Sequence, residues 1–511
     1  MTEQLPIIII LGPLMAAVLA AFAGWFRPKL SHPLVLLGLA ASFAAALKLV
    51  FIVADGGTQK YWLGGWGDKV IPGQKDPFVV GIQITVDHLN TLLLAAVSGI
   101  ALLTAIYAKR LVDTELAGRQ RYFDALFALL VTGLLGISIT GDIFNLYVFM
   151  EIAALSSYAL IAYGKSRAYM ASFNYLIMGT MGACLYLLGI GFIFIKGGTL
   201  NIDDLSGIIP TLQADGPSQA LFVGFILIIL GAWAKMAFFP FHGWLPNAYT
   251  YAPTASASVL APLATKVAVY AMLRIMLTVY SIDYIVGLNG IQPIALYLST
   301  AAIVMGSFLS LTQTNLKMIA CYFVISEIGY MVGGAWLANK PGLTGAMYHL
   351  VADAAMTSAL FMAIGCIIYR LGQAQLESLR GVFFKMPVTM TAFVITMAAL
   401  IGVPPTCGFF SKWYLIQGAA QAGVWHFVVA LLLSSLVKAI ILFRIVEIGY
   451  NRVPHPAIQG NPAIERKEAP LSMLIPTLAM ALGLIVLGLY TDTLVGTNTI
   501  IGKAVSAALT P

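Results

Sequence analysis

Long apolar runs dominate this sequence and restrict the environment in which it can fold. Runs of about 20 residues recur along all 511 positions, and an α-helix needs that length to cross a bilayer. Hydrophobic residues make up 60% of the chain and charged residues only 10%, with a mean hydropathy of +0.91. Water-soluble globules are far more polar than this. We therefore predict an all-α polytopic membrane protein with about fourteen transmembrane helices, near residues 5–26, 32–54, 84–107, 122–140, 142–163, 169–195, 218–239, 254–279, 290–311, 317–337, 342–369, 387–418, 424–448 and 470–490.

The basic residues predict how these helices are oriented. If the N-terminus lies outside, the inside loops and span ends hold 16 of the 28 lysine and arginine residues, the outside segments hold 8, and 4 lie within spans. Short cytoplasmic loops carry such an excess of positive charge. The bias predicts a multi-pass protein of the cytoplasmic (inner) cell membrane with both termini outside. It also accounts for the net charge of +7 without a nucleic-acid partner.

The connecting segments and the cysteines carry no recognisable chemistry. The outside stretch 55–83 predicts a short hairpin, the outside loop 196–217 is acidic and rich in turn residues, and the inside loop 452–469 is interrupted by prolines. Four cysteines lie in apolar runs without paired spacing: Cys184, Cys321, Cys366 and Cys407. This pattern favours small buried hydrophobic residues over a disulfide or a metal site. We predict neither a cofactor nor a metal.

Charged residues inside the apolar runs are the exception that needs an explanation. The predicted spans and their ends contain Lys235, Lys266, Lys412, Lys438, Glu151, Glu327, Asp353, His242 and His349. A charge at the centre of a membrane helix costs roughly 2.5–3.5 kcal/mol on insertion scales, so each one needs a partner, a hydrated cavity or neutralisation. Structural ion pairs between helices are one interpretation. A path for protons or ions is the other, and it is favoured because several lysines and a glutamate occur in separate spans.

These residue types suit proton transfer. A lysine that is partly removed from water can take up and release a proton, and a neighbouring glutamate favours its charged form. A carboxylate that approaches or withdraws would therefore control the proton affinity of the lysine. Glu151 on span 5 and Lys235 on span 7 would form such a pair if those helices touch.

Two spans are interrupted close to these lysines. Lys235 is followed by Pro240 and Pro246, and Lys412 follows the prolines of VPPTCGFFSK, residues 403–412. Proline removes a hydrogen-bond donor and clashes with the preceding turn, so both helices are predicted to break at mid-membrane. Breaks five spans apart predict two repeats, and the odd offset inverts the second one. The predicted divisions are the N-terminal helices (1–121), a first repeat (122–279), a second repeat (290–448) and a connector with the last helix (449–511).

Four stretches carry a resemblance to a known family: FMEIAALSSYALIAYG (149–164), AKMAFFPFHGWLPNAYTYAPTASASVLAPLATKVAVYAMLR (234–274), QTNLKMIACYFVISEIGYM (313–331) and VPPTCGFFSKWYL (403–415). The chain resembles the antiporter-like proton-translocating subunits that respiratory complex I shares with the multi-subunit Mrp-type cation/proton antiporters, and it looks most like the D-type subunit of the Mrp antiporters. The resemblance covers most of the core. It implies fourteen helices in two inverted five-helix repeats, with helices 7 and 12 broken, and other membrane subunits as partners.

The resemblance also implies roles for individual residues. Glu151 matches the glutamate of span 5 that pairs with the lysine of span 7, here Lys235. Lys266 matches the span 8 lysine that links two half-channels, and Lys412 matches the span 12 lysine near the exit. His242 stands beside the first break, where it is either a hydrogen-bonding residue of the helix end or a proton relay.

Span 11 departs from the family pattern, which often has a His–His–Lys ladder at four-residue spacing. Here the ladder consists of His349, Asp353 and Thr357, which share one helix face but lack the lysine and add a carboxylate. Glu327 stands where glutamine is common, and Lys438 on span 13 is an additional cation. We expect Lys438 to pair with Asp353 or Glu327, either as a structural ion pair or as part of a relay.

The leading functional hypothesis is a proton-translocating subunit of a multi-subunit antiporter that exchanges Na⁺ or another monovalent cation for protons across the lipid bilayer. The alternative is a proton-pumping subunit of a complex I-like NADH:quinone oxidoreductase or a membrane-bound hydrogenase. The sequence contains no cysteine cluster, dinucleotide fingerprint or haem motif, so redox chemistry would belong to partner subunits. A scaffold with an inactive channel is disfavoured, because Glu151, Lys235, Lys266 and Lys412 are all present.

Overall fold

The protein is an almost entirely helical bundle. The computed structural model describes residues 4–65, 81–214, 218–288, 290–451, 466–496 and 498–509. Its helices are α1 (Leu5–Phe26), α2 (Ser31–Gly56), α3 (Thr91–Glu115), α4 (Gln120–Ile139), α5 (Ile143–Ala162), α6 (Ala168–Gly197), α7 (Ile202–Ala214), α8 (Gln219–Met236), α9 (Leu245–Tyr251), α10 (Thr254–Arg274), α11 (Ile282–Gly287), α12 (Ile291–Leu311), α13 (Leu316–Trp336), α14 (Lys340–Leu371), α15 (Val382–Lys385), α16 (Pro387–Ile401), α17 (Cys407–Gln421), α18 (Trp425–Tyr450), α19 (Leu471–Leu489), α20 (Thr491–Val495) and α21 (Ile500–Leu509). Two short antiparallel strands, β1 (Gln59–Trp62) and β2 (Gln83–Val86), complete the fold.

The membrane spans agree in number with the sequence prediction. Within the described ranges, thirteen helical segments are long and apolar enough to cross a bilayer, and one of them, Gln219–Tyr251, contains α8 and α9. The apolar α16, followed by α17, supplies a fourteenth span in two pieces. The all-α polytopic fold is therefore confirmed. The division into two inverted repeats stays a prediction, and the breaks fall in the fourth span of each.

The three predicted connecting segments are described to different extents. The hairpin predicted in 55–83 exists as β1 and β2, while its central residues 66–80 lie outside the described part of the chain. Span 3 begins at Thr91 rather than near 84, because Asp87 forms a polar turn there by accepting the backbone N–H groups of Leu89 and Asn90. The outside loop predicted at 196–217 contains the helix α7, and Asn201 caps the start of α7. Most of the predicted inside loop, 452–465, is not described.

The first broken span is interrupted between α8 and α9. Helix α8 ends at Met236, and Ala237 adopts a left-handed conformation with φ of 60°. Pro240 lies in the break, whereas Pro246 sits in the first turn of α9, where a missing N–H costs no hydrogen bond. Pro246 therefore helps to start the second piece of the span rather than to end the first.

The second broken span has the same plan. Helix α16 ends at Ile401, and Gly402 adopts a left-handed conformation with φ of 92°. Residues 402–406, which include both prolines, separate it from α17. Lys235 lies before its break and Lys412 lies after its break, so each lysine is within two turns of an interruption.

The centre of the bundle consists of α10, α13 and α14, which are the most buried of the spans. Small residues allow the helices to approach closely. Gly182 of α6 faces Gly231 and Ala234 of α8, where an added side chain would collide with the facing backbone. This contact fixes α8, and with it Lys235, against α6.

A buried row of charged residues

Buried charged residues form a row through the bundle. The first contact in this row joins α5 to α8. Lys235 Nζ lies 2.7 Å from Glu151 Oε1, and Lys235 donates this hydrogen bond. The lysine side chain is 8% exposed and the glutamate side chain 25% exposed. The contact that the sequence analysis made conditional on touching helices therefore exists.

The break next to Lys235 is filled by an aromatic residue that the sequence analysis did not single out. The indole of Trp244 donates to the carbonyl of Ala234, 3.2 Å away, and stacks on Tyr175 at 3.9 Å between ring centroids. The same carbonyl, in the last turn of α8, also accepts a long hydrogen bond of 3.4 Å from the Ala237 N–H, so the indole supplies a second and shorter one. His242 stacks on Phe239, and its Nδ1 atom is buried without a hydrogen-bond partner. Both roles considered for His242, hydrogen bonding at the helix end and proton relay, stay predictions.

The second element joins α10 to α14. Lys266 Nζ lies 3.0 Å from Asp353 Oδ2, an ion pair without hydrogen-bond geometry, and both side chains are fully buried. Lys266 also donates to Thr357 Oγ1 and to the carbonyl of Ala261, each at 3.2 Å. Thr357 in turn donates to Asp353 Oδ1 at 3.0 Å. The aspartate and threonine that replace the usual ladder residues thus form the binding site of Lys266.

The third element is centred on Glu327 of α13. Lys438 of α18 donates to Oε1, and His349 of α14 contacts Oε2 at 2.6 Å. The other ring nitrogen of His349 lies 2.8 Å from the hydroxyl of Ser411 on α17. Of the two partners expected for Lys438, Glu327 is the one in contact, because Asp353 is engaged by Lys266.

Lys412 is held differently from the other lysines. Its ammonium group donates to the carbonyls of Leu400 and Ile401 at 2.6 and 3.1 Å and to Ser435 Oγ at 2.9 Å. These carbonyls end α16, where the helix dipole is negative. No carboxylate lies within ion-pair distance of Lys412 in the described part of the protein. The break itself therefore supplies the site for this charge.

Three of these buried side chains also have donor atoms close enough together to bind a metal ion. Glu327, His349 and Asp353 each place one ligand atom within 4.8 Å of the others. However, Lys438 and Lys266 already neutralise the two carboxylates. A metal ion would have to displace both ammonium groups, so the lysines are the better fit to this cluster.

A further ion pair lies at one end of the bundle, and the sequence analysis missed it. Arg274 is buried and binds Asp87 through two hydrogen bonds of 2.5 and 2.9 Å. Burial raises the pKa of the Asp87 carboxyl, but the neighbouring Arg274 and the backbone N–H donors outweigh it and hold the pKa below 3.8. The two residues are 187 positions apart, so no local pattern connects them.

Broken helices around a buried row of lysines and carboxylates define a class of polytopic membrane protein with a charged interior. Residues 140–437 match the family model described as NADH:quinone oxidoreductase/Mrp antiporter, TM. The chain belongs to this family.

Two relatives and one solved structure are similar to this chain over most of its length. It is 36% identical over 504 residues to NADH-quinone oxidoreductase subunit N of Desulforudis audaxviator, covering 97% of each chain. It is 30% identical over 448 residues to the D-type subunit of a Na(+)/H(+) antiporter of Bacillus subtilis, covering 86% of this chain and 85% of the relative. A chain of the membrane-bound sulfane sulfur reductase, an archaeal respiratory membrane complex, superposes with a TM-score of 0.87 at 28% identity, with 99% of this chain and 98% of that chain covered.

Proposed function

We propose that this chain is a proton-translocating membrane subunit of a multi-subunit antiporter that exchanges Na⁺ or another monovalent cation for protons. The observation that carries the proposal is the buried row itself: four lysines on separate spans, each held at a carboxylate or at a helix break. Ion pairs that served only to join helices would not need Lys412, whose contacts are backbone carbonyls and a hydroxyl. Membership of the family supports the same assignment.

The geometry suggests how the first half of the chain would handle a proton. With Glu151 at 2.7 Å, the charged form of Lys235 is favoured. A movement of α5 or α8 that separates the pair would favour release of the proton, and Lys266 in the centre would accept it. Asp353 and Thr357 hold Lys266 in place for this step.

In the second half, the proton would pass through the Glu327 group to Lys412. His349 bridges Glu327 and Ser411, and Ser411 is the residue before Lys412. Lys412 would be the last lysine of the path, since its carbonyl partners do not titrate. Lys438 would stabilise the negative charge of Glu327.

The surroundings of the chain are part of the proposal. Both relatives carry the names of subunits, and the solved structure is a membrane complex. We propose other membrane subunits as partners, and the cytoplasmic membrane as the location, with both termini outside as the distribution of basic residues predicts.

Substitution of the first pair tests the proposal. Lys235→Ala and Glu151→Ala should each abolish proton-coupled transport in vesicles that contain the assembled complex, because the first proton-binding site is lost. Lys340→Ala is the matched control, since Lys340 begins α14 outside the row. Transport at the level of the control by either variant would remove the pair from the proton path.

A second function is favoured by one specific observation, the 36% identity to a subunit named as part of an NADH-quinone oxidoreductase. In that case the same row would pump protons, driven by electron transfer in partner subunits. Vesicles that contain the complete complex separate the two functions. Cation/proton exchange without an electron donor supports the antiporter, whereas proton movement that requires a donor supports the oxidoreductase.

A further inference from the structure

A polar cavity lies at the end of the bundle that carries β1 and β2, which we call the hairpin end. Its volume is about 680 Å³, and the turn before α3, helix α7, the segment after α10, helix α11 and helix α21 surround it. Its polar lining comes from Thr58, Asp87, His88, Ser206, Arg274, Thr278, Ser281 and Asp283. A cavity of this size and polarity holds many water molecules.

The wall of the cavity is fixed by the ion pair between Asp87 and Arg274. The bidentate contact connects the start of α3 to the end of α10. Arg274 also donates to the hydroxyl of Tyr270 at 2.8 Å. The residue that follows Asp87 is therefore held at a defined position between α3 and α10.

That residue, His88, also lines a second and much narrower cavity. The narrow cavity has a volume of about 10 Å³, which is near the minimum for one water molecule. A collar of apolar side chains surrounds it: Leu89, Leu92, Leu93, Leu273, Met347, Leu350, Val351 and Ile501. The Nε2 atom of His88 is buried and has no hydrogen-bond partner. The collar is closed here, and the imidazole is the titratable group that both cavities share.

The narrow cavity points toward the pair at the centre of the row. Leu350 lies one turn before Asp353 on α14, roughly 5 Å along the helix axis, and on the same face. Leu273 lies two turns after Lys266 on α10, roughly 10 Å along its axis, again on the same face. Both helices thus lead from the collar to the contact between Lys266 and Asp353.

We propose that His88 and the apolar collar form a gated opening, through which water and protons pass between the Lys266–Asp353 pair and the polar cavity at the hairpin end. The opening would give the centre of the row its own access to that side of the membrane, without passage through Lys412. Its part in transport rests on the proposed function, whereas the existence of the opening does not.

The charges around His88 set the pH at which it would act. Burial is the largest influence and lowers the pKa of His88, the charge of Lys503 on α21 lowers it further, and Asp87 and a hydrogen bond to the backbone of Val53 raise it. The balance holds the pKa below 6.5. Arg274 and Asp283 also line the cavity, but Arg274 is neutralised by Asp87. His88 is therefore neutral at pH 7 and gains a proton as the pH falls. An imidazolium at the collar requires hydration, which would bring water into it.

Accessibility of a cysteine in the collar tests the opening directly. In the assembled complex with the four native cysteines replaced by alanine, Leu350→Cys should react with a membrane-impermeant, cationic methanethiosulfonate reagent added from the hairpin end. Leu360→Cys is the matched control, because Leu350 and Leu360 lie on the same helix and are each 3% exposed. We expect labelling of the first and none of the second. Once the rate is divided by the thiolate fraction of the cysteine at each pH, it should fall about tenfold per pH unit above the pKa of His88. His88→Phe should remove this pH dependence.

The outcomes separate the opening from the transport function. Leu350→Cys as unreactive as Leu360→Cys at every pH from about 5 to about 8 would overturn the proposal, and so would reaction from the opposite side only. Should Leu350→Cys fail to assemble, Val351→Cys lines the same collar and carries the same test. Labelling in a complex that transports nothing supports the opening and contradicts the proposed function. Transport by a complex whose collar is not labelled supports the proposed function and contradicts the opening.

Discussion

Glu327 differs from Glu151 and Asp353 in contacting two titratable side chains, one on each carboxylate oxygen. It binds Lys438 on one oxygen and His349 on the other, and it is fully buried between α13, α14 and α18. A buried carboxylate is stable only with such partners. The pair of Glu327 and Lys438 therefore determines whether this region can fold as well as whether it can conduct.

Removal of Lys438 should expose that dependence. Lys438→Ala leaves Glu327 with a buried, under-compensated charge, and we expect it to destabilise the protein by roughly 3–5 kcal/mol. Glu327→Gln in the same chain should recover most of the loss, since the charge is gone, whereas Asp353→Asn should not, since Asp353 pairs with Lys266. Thermal unfolding of the purified complex measures all three. Equal recovery by both second substitutions would contradict the pairing.

At the scale of the elements, the second break does more than interrupt a helix. It turns the carbonyls of Leu400 and Ile401 into ligands for Lys412, and the left-handed Gly402 ends α16 at the position where those carbonyls meet the ammonium group. A side chain at Gly402 would come within 3.2 Å of Lys412 Cδ. The glycine therefore provides both the backbone conformation and the space for the lysine.

Two glycine substitutions can separate these effects. Gly402→Ala and Gly423→Ala both place a side chain at a left-handed residue, with φ of 92° and 71°, and each should cost about 1 kcal/mol of stability. Only Gly402→Ala should also reduce proton-coupled transport, because it displaces Lys412, whereas nothing lies within 4 Å of a side chain at Gly423. Unfolding temperature and vesicle transport are the two measurements. Unimpaired transport by Gly402→Ala would show that Lys412 tolerates the displacement.

The helices and their contacts differ in how far the sequence predicts them. Apolar length predicts the spans, and proline predicts both breaks, because these effects act locally. The partner of Lys438 remained ambiguous between Glu327 and Asp353, because it depends on how α13, α14 and α18 pack. Trp244 escaped notice because its partner is a backbone carbonyl in the last turn before the break, although a tryptophan directly after an interrupted apolar run was the available signal.

At the scale of the whole molecule, charged contacts tie distant parts of the chain together. Lys266–Asp353 links α10 of the first predicted repeat to α14 of the second. Asp87–Arg274 links the N-terminal helices to the first predicted repeat at the hairpin end. The row of lysines thus crosses the boundary between the predicted repeats through a buried ion pair. A change of protonation at Lys266 would therefore alter the contact that joins them.

The contact at the hairpin end can be tested through stability and its pH dependence. Asp87→Asn preserves an oxygen for the N–H groups of Leu89 and Asn90 but leaves Arg274 buried without a counter-charge, so a loss of roughly 3 kcal/mol is expected near pH 7. Lys60→Ala is the control at the same end, since it removes a solvent-exposed pair with Asp203 that contributes at most about 1 kcal/mol.

The pKa of Asp87 determines the pH range in which the stability lost by Asp87→Asn changes with pH. Because the folded state holds that pKa below its usual value of 3.8, the ion pair stabilises the protein fully above that value and loses its contribution as the pH falls through the folded pKa. The difference in unfolding temperature between the wild-type protein and Asp87→Asn should therefore not shrink down to about pH 5 and should shrink at more acidic pH. A difference that shrinks between pH 7 and about pH 5 would mean that a group other than Asp87 titrates, and His88, the adjacent residue with a pKa below 6.5, would be the one to substitute next.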